Sequence, residues 1–163
     1  MSHQVAFAGD IHDDQTYIDH LLHTLEMRSI DTLYLLGDIT TAETLEQFAR
    51  HDVGLVFGNA DHDTIADLCQ QAERQGATVH GDSARLTFGG EAGTTIIARH
   101  GLDPRSMAYA MAAHNCDYVV HGHYHSEERT QTGSGEVLSY GLGCLIYDPA
   151  TDEFEQITYE DVS

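Results

Sequence analysis

Apolar residues in this chain of 163 fall into short runs, and the early runs end in glycine followed by a polar residue. Val5-Ala6-Phe7-Ala8, Thr32-Leu33-Tyr34-Leu35-Leu36 and Val53-Gly54-Leu55-Val56-Phe57 read as buried strands. Helical periodicity fills the gaps between them. Tyr17, Ile18, Leu21, Leu22 and Leu25 form one stripe, with His20 and His23 off it and solvated. Thr40-Thr41-Ala42-Glu43 has the spacing of a capping box and predicts a helix with Ala42, Leu45, Phe48 and Ala49 inward. A third helix is expected to bury Ile65, Leu68, Cys69 and Ala72 and to stop near Gly76. Alternating strands and helices imply a parallel sheet with right-handed crossovers.

The second half changes character. Residues 84–88 and 94–98 flank the glycine-rich 89–93, a hairpin signal. Pro104 suits the first turn of a helix with Met107, Ala110 and Met111 inward. Val119-Val120-His121 is a short strand that runs into Gly122. Residues 127–131 and 136–140 are expected to pair across 132–135, and 145–147 with 154–159 across 148–152. The fold class is therefore α/β, with two sheets face to face and helices outside. No linker, repeat or low-complexity segment interrupts it, so residues 1–163 are expected to be one domain.

Charge narrows the partners. Asp and Glu number 27 against 7 basic residues, all arginine, giving a net charge of −20. Such a surface excludes a broad nucleic-acid or anionic-membrane interface. Adaptation to high salt explains it, the alternative being a merely acidic protein. No apolar run spans a bilayer, and Met1–Gln4 lacks the basic flank of a signal peptide, so a cytoplasmic location is expected. Cys69, Cys116 and Cys144 are widely spaced and read as small core residues in a reducing compartment.

Candidate chemistry lies after the runs, where parallel sheets gather ligands. The pool is Asp10, His12, Asp38, Asn59, His100, His123 and His125. In extended chain, residues two apart point the same way at roughly 6–7 Å, so His123 and His125 suit neighbouring ions. Oxygen and imidazole donors without thiolate suit Mn, Fe, Co, Ni or Zn. Seven ligands exceed one four-coordinate ion and suit two if a carboxylate bridges. Two divalent ions against two aspartates and a hydroxide leave a positive centre that attracts phosphate, with the bridging hydroxide as nucleophile.

Asp10-Ile11-His12, Gly37-Asp38, Gly58-Asn59-Ala60-Asp61, His100-Gly101 and Gly122-His123-Tyr124-His125 occur in this order. In them the chain resembles the calcineurin-like metallophosphoesterase superfamily, more closely its small prokaryotic phosphodiesterase branch. The resemblance implies a four-layer αββα sandwich of two mixed β-sheets. It implies Asp10, His12 and His125 on one ion, Asn59, His100 and His123 on the other, and Asp38 between them. Asp38, Asn59 and His100 are then the expected catalytic residues.

The implied activity is hydrolysis of a small phosphate ester, most simply a phosphodiester. A non-catalytic metal-binding or protein-interaction scaffold of the same fold is the alternative, and attack on an amide or pyrophosphate is a third reading. Self-association is left open. Ala60 stands where many larger relatives carry histidine, and His62 is the candidate replacement acid. Ser139-Tyr140-Gly141-Leu142-Gly143 stands where small relatives often show Asn-Pro-Gly-Ser. His121 is expected to be a core or orienting residue, Asp61 a helix cap or a brace for Asn59, and Asp13 and Asp14 solvated or at a helix start.

Overall fold

A computed structural model describes residues 3–90, 93–101, 116–122, 127–132 and 135–159. In chain order its elements begin β1 (Val5–Ala8), α1 (Gln15–Met27), β2 (Thr32–Leu36), α2 (Ala42–Glu46) and β3 (Asp52–Val56). A 3-10 turn, Asn59–Thr64, leads into α3 (Ile65–Gln75) and β4 (Thr78–Gly81). Then come β5 (Ser83–Phe88), β6 (Thr94–Arg99), β7 (Tyr118–His121), β8 (Glu127–Thr132), β9 (Gly135–Tyr140), β10 (Gly143–Asp148) and β11 (Glu153–Thr158).

Two mixed sheets result, in the orders β11-β10-β1-β2-β3-β4 and β5-β6-β7-β9-β8. In the first, β1 to β4 are parallel and β10 pairs antiparallel with β1. In the second, β6, β7 and β9 are parallel, edged by the antiparallel β5 and β8. Period two along β1 explains how the layers stack. Val5 and Phe7 enter the core shared with Ala84, Ile96, Ala98, Val120 and Leu138 of the second sheet. Ala6 and Ala8 face the other way, among Tyr17, Ile18, Leu21 and Leu25 of α1 and Leu68 of α3. The small alanines let the helices approach the sheet closely. A third cluster, Ile97, Cys116, Val119 and Val137, occupies the outer face of the second sheet. The helix expected around Pro104 falls within 102–115, outside the described residues.

Several local expectations need correction. β4 carries no buried residue and was not expected. The second helix is capped by Thr41, whose side chain accepts from the Thr44 N–H, so the box expected from Thr40 does not form. Thr40 has φ 74° and gives its N–H to Asp61, which removes it from the cap position. In α3 the buried residues are Leu68, Gln71 and Ala72, while Ile65 is exposed and Cys69 half-buried. Ile65 opens the helix directly after the 3-10 turn and overhangs a cavity rather than the sheet. Asp14 is the N-cap of α1 and accepts from the N–H groups of Thr16 and Tyr17. His20, expected in solvent, is half-buried and stacks on Tyr159 at 5.1 Å. No helix among the described residues is long and apolar enough to cross a membrane.

Candidate metal centre

The ends of β1 and β2 are tied side by side. Asp10 N–H donates to the Gly37 carbonyl at 2.9 Å, and His12 N–H to the Asp38 carbonyl at 3.0 Å. Asp10, His12 and Asp38 all hold left-handed backbones, with φ of 52°, 46° and 54°. Asp and His tolerate that region better than most side chains, yet each instance still stores about 1 kcal/mol or more. Ile11 between them is buried in the helix-side core and pins the loop. One atom from each of Asp10, His12 and Asp38 lies within 4.8 Å of the others, the spacing of a metal site.

Asp61 holds the next loop in place. It is fully buried, and its carboxylate accepts from the N–H groups of Asp38, Thr40 and Gly58, each at 2.8 Å. Expected to cap the third helix or brace Asn59, the Asp61 carboxylate instead ties together the loops after β2 and β3 through Asp38, Thr40 and Gly58. Asp38 then divides its own oxygens. Oδ1 accepts from Ala60 N–H at 2.8 Å, while Oδ2 lies 3.3 Å from His12 Nε2 and 3.2 Å from His100 Nε2.

His100 arrives from the second sheet at the end of β6 and is buried. Its Nδ1 donates to the Leu36 carbonyl at 2.9 Å, and its Nε2 lies 2.9 Å from Asn59 Oδ1. Nε2 thus meets a carboxylate and a carboxamide oxygen, a set of acceptors that calls for a cation. A proton meets that need in the ion-free protein. Burial pulls the His100 pKa down, but Asp38 and Asp10 outweigh it, and the net shift is upward. For Asp38, burial pushes the pKa up, but His100, the Ala60 N–H and His12 bring it below its ordinary value. A divalent ion meets the same need with the same donors, so the residues fit a metal.

Tyr140 completes the described wall. It is fully buried, and its hydroxyl donates to Asp10 Oδ2 at 2.7 Å. Burial and the Asp10 charge push the hydroxyl pKa well above its ordinary value, so it stays a donor. Gly122 makes this contact sterically feasible, because a Cβ there would lie 2.5 Å from Asp10 Oδ2. Its N–H donates to the His100 carbonyl at 2.7 Å, joining the ends of β6 and β7. His123 and His125 follow immediately but lie outside the described residues. His121 is buried, with Nδ1 3.0 Å from the Gly122 carbonyl. Asp13 accepts from the hydroxyls of Thr41 and Thr44 and so ties the β1 loop to α2. His62 is exposed and lines the cavity beside Asn59 and His100.

Of the seven candidate ligands, the structure brings Asp10, His12, Asp38, Asn59 and His100 together. The calcineurin-like phosphoesterase superfamily domain matches residues 4–154, and the chain belongs to that superfamily. No curated protein matches it. Among solved structures it is similar to an archaeal phosphodiesterase, with TM-score 0.82, 16% identity, and coverage of 96% of this chain and 99% of the other. The phosphoesterase Yfce from E. coli gives TM-score 0.71 and 18% identity, over 98% of this chain and 95% of the other. Vacuolar Protein Sorting 29 from Cryptosporidium parvum gives 0.66 and 16%, over 99% of each.

Proposed function

We propose that the chain is a dinuclear metal-dependent phosphodiesterase and that residues 1–163 form its single catalytic domain. The observation that carries this reading is Asp38 Oδ2, flanked at 3.3 Å and 3.2 Å by imidazoles from two different sheets. An oxygen so placed suits a bridge between two ions. Asp10 and His12 would hold one ion with His125, and Asn59 and His100 the other with His123. When bound, divalent ions acidify a water and neutralise charge on the phosphoryl oxygens.

The chain's own residues prepare that chemistry. The Leu36 carbonyl keeps a His100 proton on Nδ1, so that the Nε2 lone pair would be the one to hold an ion. Tyr140 keeps its proton and holds Asp10 Oδ2, so that Oδ1 would be the oxygen left to hold an ion. Asn59 and His100 front the cavity that would take the ester. Ala60 offers no proton beside Asn59, which favours esters with good leaving groups or protonation by His62.

The test is turnover of a chromogenic phosphodiester. Chelation is expected to lower the rate by about a hundredfold or more, and Mn²⁺ or Ni²⁺ to restore it. A metal-loaded protein without turnover would sink the reading in favour of the non-catalytic scaffold. Diester, monoester and nucleotide assayed together separate the bond attacked.

Two properties of the setting belong to the same reading. Cys69, Cys116 and Cys144 are thiols, which supports a reducing, cytoplasmic compartment. The excess of carboxylates supports a halophilic protein. Raising KCl from about 0.1 M to about 1 M shortens the screening length from roughly 10 Å to roughly 3 Å. Self-repulsion at net charge −20 then fades, and the melting temperature is expected to rise by about 5 °C or more. A flat or falling melting curve would mark a merely acidic protein.

A further inference from the structure

The cavity beside Asn59 and His100 measures about 740 Å³, within the range of small-molecule pockets. Phe57 and Ile65 give it an apolar wall, and Ile65 is a large aliphatic residue left 36% exposed. Asp82 and His62 add polar surface. Arg99 is the one permanently cationic side chain among its described lining residues.

A guanidinium at this place runs against the composition, since the chain has 7 basic residues and a net charge of −20. Other arginines are committed elsewhere: Arg28 pairs with Glu155, and Arg129 with Glu136 at 2.7 Å. Arg99 has no such pair among the described residues, and its Nε is buried without a hydrogen-bond partner. An unmet buried donor costs free energy that a ligand oxygen bound by the same guanidinium can offset.

We propose that Arg99 is the anion anchor of this cavity. Its guanidinium receives a non-bridging oxygen of a monoanionic phosphodiester whose apolar arm lies against Phe57 and Ile65. The planar fork of arginine matches two phosphate oxygens at once, which a histidine does not. Arg99 ends β6 and directly precedes His100, so anchor and candidate metal-binding imidazole are positioned by one strand. Asp82 opposes a second negative charge and so favours a diester over a dianionic monoester. The inference rests on the phosphoesterase reading and names its substrate class.

Bis(p-nitrophenyl) phosphate, titrated calorimetrically onto the chelated full chain, is the probe. Without metal no turnover obscures the binding. Arg99→Gln is expected to weaken binding by about tenfold to a hundredfold, and Arg99→Lys to recover part of the loss. Arg50→Gln, exposed and away from the cavity, should bind as the unaltered chain does. Melting curves identify a misfolded variant, and Arg99→Lys then carries the test alone. On the loaded enzyme Arg99→Gln should raise KM more than it lowers kcat. Asp82→Asn should narrow the gap between phenyl phosphate and the diester. Equal binding by Arg99→Gln and the unaltered chain would overturn the anchor. If binding depends on Arg99 but the loaded chain turns over no diester, the phosphoesterase reading fails and the anchor stands.

Discussion

Asp38→Ala should empty both metal positions together and lower diester turnover by about a thousandfold or more, whereas His12→Ala should cost one ion. The difference follows from geometry. Asp38 Oδ2 lies between His12 Nε2 and His100 Nε2, while His12 reaches only the side that it shares with Asp10. Alanine also sits poorly at the Asp38 backbone, where φ is 54°. Asp38→Asn separates that strain from ligation, because asparagine tolerates the same backbone and lacks the negative charge. Metal content by elemental analysis decides the matter: a loss of one ion in both Asp38→Ala and His12→Ala refutes the bridge.

Gly37→Ala is expected to destabilise the ion-free protein by about 3 kcal/mol or more, a drop of roughly 10 °C in melting temperature. Gly37 has φ 92°, and a Cβ there would lie 2.6 Å from Gly58 N and 2.8 Å from His100 Nδ1. The strain of the left-handed backbone and the collision therefore add. Gly76→Ala isolates the first part. It has φ 77° and closes α3, but nothing lies within 4 Å of its added Cβ. It should cost only about 1 kcal/mol. Equal melting of the two variants would show that the loops after β2 and β3 yield more readily than their packing implies.

The contrast between these glycines also shows what the chain made legible. β1, β2 and β3 could be read because apolar runs there end in glycine and a ligand-type residue. Asp10, His12, Asp38, Asn59 and His100, which the fold brings together, could be singled out as candidates for the same reason, since each local doublet carries its own chemistry. β4 could not be read, because Thr78 and Val79 are exposed and His80 and Gly81 half-buried, which leaves no alternation. The shift of the second helix cap was hidden because it depends on Asp61, more than twenty residues away. The hydroxyl of Tyr140 lies 130 positions from Asp10 in sequence, and only the folded sheets make them neighbours. Arg99 was visible merely as the residue before a histidine. Its meaning depends on the cavity wall and on the lack of an ion pair among the described residues.

The place of β1 in its sheet bears on synthesis. It lies between β2 and β10, with Val5 opposite Thr32 on one side and Tyr147 on the other. A ribosome releasing the chain from its amino end presents β2 early but withholds Leu145 to Tyr147 until β3 to β9 have all been made. Until then one flank of β1 is bare, and Asp10 lacks the hydroxyl of Tyr140. Asp10 therefore gains its Tyr140 partner, and β1 its second neighbour, only after β9 and β10 have been made, so metal capture by shorter nascent chains is expected to be disfavoured.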